Sequence, residues 1–194
     1  MITLSKDYFL FLGVPPRFID AHLSSPVHDG VIAWISKIIV GTERRNFLYL
    51  YGPTGTGKTY TAWATVMALL PEVQALEWTH PTPLLARSAS NLMDNLRPEG
   101  QKVIYDCVEW DVGGLAPRVS VVLIDDLGTE KPSEFTITQL GTIINARYES
   151  GRPTIITTNI GPAFIADRIG DRAASRLAES SVTVYLDGED RRRK

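Results

Sequence analysis

Gly52-Pro53-Thr54-Gly55-Thr56-Gly57-Lys58-Thr59 is the stretch on which the fold turns. It fits G-x-x-x-x-G-K-[ST] in full. Its glycines permit positive φ, so successive backbone N–H groups can turn inward on an anion. A helix beginning at Lys58 would aim the positive end of its dipole at the same point. Lys58 would then neutralise the β- and γ-phosphates of ATP, and the Thr59 hydroxyl would ligate Mg²⁺. Tyr60 follows directly and is counted with the loop among the nucleotide-binding residues. A glycine-rich turn can match the pattern without binding anything; a strand before it and a helix after it separate the two cases.

Both flanks supply that context. Asn46 to Tyr51 (NFLYLY) is apolar and aromatic and predicts a buried strand. Lys58 to Leu70 predicts a helix halted by Pro71. Further out, strands are expected at Val73–Trp78, Val119–Asp125, Thr154–Thr158 and Val182–Leu186. Helices are expected at Asp29–Val40, Pro83–Leu96, Glu99–Trp110, Ser133–Glu149, Pro162–Ile169 and Asp171–Glu179. Strands alternating with helices imply βαβ units and a mostly parallel sheet. Burial on both faces explains why VSVVLI is a continuous apolar run. The chain divides into an N-terminal lead (1–45) with a possible partner-docking segment, a core (46–188) and a basic tail (189–194).

Val121-Val122-Leu123-Ile124-Asp125-Asp126 puts two carboxylates at the end of the strongest strand. Ligands of open parallel sheets sit at the carboxyl ends of the strands. Asp125 is assigned to the metal and Asp126 to polarising the attacking water. The plainer alternative is a strand-to-loop turn, where Asp is common.

Composition narrows the rest. The 194 residues carry a net charge of −2, with 44% hydrophobic and 22% charged residues, so one soluble domain is expected and no general coating of nucleic acid. Cys107 is the one cysteine, so no disulfide can form within the chain. No apolar run is long enough to cross a bilayer, and the first residues lack the pattern of a signal peptide. A cytoplasmic protein without membrane contact is expected. His22, His28 and His80 have no metal-like spacing with Cys107 or each other. Arg87, Arg97 and Lys102 could follow a DNA backbone, with Trp78, Tyr105 and Trp110 stacking on bases; a solvated face and core aromatics explain the same residues.

Taken together, GPTGTGKT, VVLIDDLG (121–128), TIITTN (154–159) and DRAASRL (171–177) resemble the AAA+ ATPases, and among them the DnaC/DnaI helicase loaders and IstB transposition ATPases. The lead Val14-Pro15-Pro16-Arg17-Phe18 also looks like that of the loaders. The resemblance implies an α/β P-loop fold. Its five-stranded sheet would place the strand ending at Asn159 between the phosphate-loop strand and the acidic strand. Asn159 would reach the γ-phosphate or the water. Arg176 would act as an arginine finger on a neighbouring subunit's nucleotide, with Arg172 supporting it or taking its place. The bland readings are a capped strand end for Asn159 and two solvated arginines one turn apart.

Two departures stand out. Only 18 residues follow Arg176, too few for the helical lid of most AAA+ proteins, so that lid is expected to be absent or truncated. Only 51 residues precede Gly52, where bacterial loaders carry a helicase-binding domain; a short phage or mobile-element version would fit. The expected function is an ATP-hydrolysing, homo-oligomeric helicase loader whose partners are a replicative helicase and single-stranded DNA. IstB-like regulation of transposition, an ATP-dependent assembly switch with little hydrolysis, and a small-molecule P-loop kinase remain open beside it.

Overall fold

The computed structural model describes residues 4–75, 82–94, 119–130 and 133–188. Helices α1 (Lys6–Phe11) and α2 (Asp29–Val40) precede strand β1 (Phe47–Tyr51). Then come α3 (Lys58–Ala75), β2 (Thr82–Ser88), α4 (Ala89–Asp94) and β3 (Val119–Leu127). Helix α5 (Glu134–Ser150), β4 (Thr154–Thr158), α6 (Ala166–Ile169), α7 (Asp171–Ser180) and β5 (Ser181–Tyr185) complete the chain. All five strands run parallel in the order β2-β3-β4-β1-β5. The expected α/β P-loop fold is therefore present, with β4 between the phosphate-loop strand and the acidic strand.

Strand alternation divides the core into two layers. Leu48, Leu50, Val121, Leu123 and Ile155 face Trp34 of α2 and Val66, Leu69 and Leu70 of α3. Phe47, Tyr49, Val122, Ile124 and Ile156 face Leu140, Ile143 and Ile144 of α5, with Ile169 and Leu177 behind. Each inner strand buries both sets of side chains, which is why its sequence reads as a run. At the far end of the sheet, buried Arg147 of α5 donates to Thr154 Oγ1 and to the carbonyls of Ser120 and Pro153, each at 2.9 Å. Asn46 donates to the carbonyls of Arg147 and Arg152 at 2.8 and 2.9 Å. These polar ties fix the amino ends of β1, β3 and β4, so their carboxyl ends are held in a fixed relation.

Three expectations are corrected. Pro71 does not halt the helix: α3 continues to Ala75. Pro71 cannot donate to the Met67 carbonyl, but fully buried Leu69 and Leu70 anchor the turn around it. Val73–Ala75 are consequently helical, and the strand expected at 73–78 is instead β2 at Thr82–Ser88, its remaining residues lying outside those described. The helix expected at 83–96 begins only at Ala89. Pro83 fits a strand here because β2 is the outermost of the described strands on its side of the sheet, and edge strands are where proline is tolerated. The helix expected at 99–110 lies outside the described residues.

Candidate functional site

β1 delivers the glycine-rich loop, β3 the acidic pair and β4 the Asn159 turn, all at the carboxyl end of the sheet. Gly55 and Gly57 adopt φ of +87° and +96°, the left-handed region that opens the loop's amides inward. At Gly52 a side chain would meet the Leu186 carbonyl at 2.1 Å, so β5's exit packs directly under the loop. Lys58 is buried, and its Nζ donates to the carbonyls of Gly52 at 2.9 Å and Pro53 at 2.7 Å. The ammonium is stored inside the loop that would receive phosphate. Thr56 is also buried and donates to Pro53 O at 3.0 Å, closing the turn.

Thr59, in the first turn of α3, donates to Asp125 Oδ1 at 2.9 Å. A hydroxyl that gives its proton to a carboxylate keeps its lone pairs for a cation. Thr157 of β4 donates to the same Oδ1 at 2.6 Å. Burial pushes the Asp125 carboxyl above the usual carboxylate range. The Thr157 and Thr59 hydroxyls pull it back, neighbouring Asp126 pushes it further up, and the charge of Arg17 opposes that push. This is a half-buried acid short of positive charge, beside a hydroxyl with free lone pairs. Thr59 and Asp125 thus fit Mg²⁺ in the manner of sites where phosphates and water supply the other oxygens. Among the described residues no cluster of three or more His, Cys, Asp or Glu offers an alternative metal site.

Asp126 is exposed and sits at φ +56°, the one described non-glycine residue with positive φ. Such a conformation costs about 1–2 kcal/mol and persists only where the surroundings impose it. Here β3 shifts register against β4 between Ile124 and Leu127, and the Asp126 amide donates to Thr157 Oγ1 at 2.9 Å. The turn then closes with Thr129 donating through its amide and hydroxyl to Asp126 O at 3.3 and 2.8 Å. Asn159 is exposed, one residue past β4.

The arginines of α7 stand apart from this group. Arg176 donates to Glu149 Oε1 at 3.1 Å, and its guanidinium lies 5.0 Å from the Tyr148 ring centroid. Arg172 is exposed and lines a groove with Thr138, Thr142 and Asn145 of α5. Arg87 is exposed at the end of β2, while Trp78, Arg97, Lys102, Tyr105 and Trp110 lie outside the described residues.

Sequence reasoning missed Thr157, whose hydroxyl joins both acidic residues. It also missed how the lead meets the loop. Phe18 stacks on Trp63 at 6.3 Å, the His22 amide donates to Tyr60 Oη at 3.1 Å, and buried His28 places Nε2 3.2 Å from Thr61 Oγ1. The signal was the Pro-Pro-Arg-Phe lead itself, which carried no assigned chemistry.

A glycine-rich loop between a buried strand and a helix, facing an acidic strand end across a parallel sheet, defines a P-loop nucleotide-binding protein. The model of the ATPase family associated with various cellular activities (AAA) matches residues 48–179, and the chain belongs to that family. Its fold is similar to a crystal structure of the DnaC helicase loader (21% identity, 89% of this chain and 100% of that one, TM-score 0.62). It is similar also to a crystal structure of DnaI (21% identity, 92% and 94%, TM-score 0.68). A structure of the replication initiator DnaA bound to AMPPCP and single-stranded DNA is alike over 91% of this chain and 52% of that one, at 17% identity and TM-score 0.66. No curated protein sequence matches the chain.

Proposed function

We propose that this protein binds and hydrolyses ATP with Mg²⁺, assembles with nucleotide, and acts in DNA replication as a loader of a replicative helicase onto single-stranded DNA. The observation that carries the ATPase reading is the bond from the phosphate-loop Thr59 to the strand-end Asp125. The loader reading is supported by the motifs at 121–128 and 154–159 and by a fold that spans the full length of the DnaC structure.

The chain's own groups divide the work. Loop amides from Gly55 to Thr59 cradle the phosphates. Lys58 exchanges the Gly52 and Pro53 carbonyls for phosphate oxygens. Thr59 and Asp125 would hold Mg²⁺, and the ion would supply positive charge against the phosphates. Asp126 orients the attacking water and takes its proton, and Asn159 hydrogen-bonds the γ-phosphate or that water. The γ-phosphoryl group passes to water, giving ADP and phosphate. Of the two arginines, Arg172 is exposed and ready to reach a neighbouring copy's nucleotide, whereas Arg176 must first leave Glu149 and Tyr148.

The test is ATP turnover measured alone, with single-stranded DNA, with duplex DNA and with a replicative helicase. Stimulation by single-stranded DNA and helicase is expected. Stimulation by duplex DNA alone would favour transposition control, phosphate transfer to a small molecule a kinase, and binding without turnover an assembly switch.

A further inference from the structure

Thr157 is fully buried in β4, two residues before Asn159, and its single Oγ1 bonds to both acidic residues. Its hydroxyl proton goes to Asp125 Oδ1 at 2.6 Å, and its oxygen accepts the Asp126 amide at 2.9 Å. The next residue repeats the arrangement one step along. Thr158 Oγ1 donates to the Leu127 carbonyl at 2.6 Å and accepts the Ile160 amide at 3.0 Å. Thr157 lies opposite the register shift between Ile124 and Leu127, and Thr158 is where the ladder resumes, paired with Leu127. Two side-chain hydroxyls therefore pair backbone groups that the irregular ladder leaves over.

We infer that Thr157 is the positioning residue of the acidic pair. It orients the Asp125 carboxylate toward the metal, and it holds Asp126 in the left-handed turn that presents that residue's side chain outward. The inference rests on the nucleotide-site reading given above. With Thr59 and Thr157 both donating to Oδ1, the carboxylate cannot rotate without breaking two bonds, so Oδ2 is the oxygen left for a cation. A valine at 157 would keep the buried volume and remove the donor and the acceptor together. Asp125 would then turn freely about its remaining tie to Thr59. The Asp126 amide would lose its partner in a left-handed conformation that carries a cost for any residue with a Cβ.

The experiment compares wild type, Thr157→Val, Thr157→Ser and Thr157→Cys. A fluorescent ATP analogue is titrated with Mg²⁺ and with EDTA, and turnover is measured at saturating Mg·ATP. Thr157→Val should bind the analogue as wild type does in EDTA and lose about tenfold or more of the gain that Mg²⁺ confers. Its turnover at saturation should fall by a similar factor. Thr157→Ser, which restores the hydroxyl, should recover most of both. Thr157→Cys, which tolerates burial and offers only a weak donor and a weak acceptor, should be impaired much as valine is and serves in its place if the valine variant does not fold. An unchanged Mg²⁺ gain and turnover in valine and cysteine variants would overturn the inference, as would a serine variant as impaired as valine. If wild type itself gains nothing from Mg²⁺, the nucleotide-site reading fails instead, and the two failures are told apart.

Discussion

Two regions carry the charged residues assigned to chemistry, and they are built in opposite ways. At the carboxyl edge of the sheet, Thr59, Asp125, Thr157 and Asp126 are joined by hydrogen bonds of 2.6–2.9 Å across three elements. On α7, Arg172 and Arg176 share no such network with that edge: Arg176 is paired to α5, and Arg172 faces solvent at a groove. The first region is preorganised within one chain, so its cost is already met when nucleotide arrives. The second holds cations whose described contacts lie away from their own chain's phosphate loop, and the proposed function assigns them to a neighbouring copy's nucleotide.

The largest effect that would sharpen this contrast is on Arg172. Arg172→Ala should lower turnover about a thousandfold, in the range of a lost arginine finger, with ATP affinity unchanged. Mixing it with Lys58→Ala subunits should restore part of the activity, because each supplies what the other lacks. A rate per subunit that is independent of concentration, with no rescue on mixing, would break the comparison and leave Arg172 a surface charge. Next in size, Asp126→Asn should slow turnover about a hundredfold while binding Mg·ATP nearly as well as wild type. Steady-state kinetics beside an equilibrium titration check this; weakened binding with normal turnover would reverse the roles of the acidic pair.

The smallest effect is on stability. The Asp125 carboxyl is pushed up chiefly by burial, so its charged form is disfavoured in the folded, nucleotide-free protein. Folded protein then holds that proton more tightly than unfolded chain does. Stability falls as pH rises from the ordinary carboxylate range through the raised pKa. Asp125→Asn removes the charge and should raise the nucleotide-free melting temperature by about 2–4 °C, while abolishing the Mg²⁺ dependence of nucleotide binding. A lower melting temperature by scanning calorimetry would show that the carboxylate stabilises the empty site.

Much of the preorganised region was legible from residue order alone. A loop pattern of eight residues, an apolar run ending in two acids and the TIITT strand are local features, and burial on both faces made β1, β3 and β4 read as runs. What was not legible depends on contacts between distant segments. Thr157 looks like an ordinary strand residue until the β3 register shift puts its hydroxyl between Asp125 and Asp126. The helix expected at 83–96 overlaps TPLLARS, whose place as the outermost described strand depends on pairing with β3 and cannot be seen locally. Pro71 misled for the same reason, since the burial of Leu69 and Leu70 decides the turn. The split between Arg172 and Arg176 rests on Glu149 and Tyr148, more than twenty residues away in sequence.

In the proposed function the loop from Gly52 to Thr59 binds the phosphates of ATP through the ammonium now held by the Gly52 and Pro53 carbonyls. Equilibrium titration of a fluorescent ATP analogue with Mg²⁺ into folded wild type and folded Lys58→Ala tests it directly. At least a tenfold loss of affinity is expected in the variant, because a charge-assisted contact worth about 1.5–3 kcal/mol is removed. Equal affinity in the two proteins would contradict it.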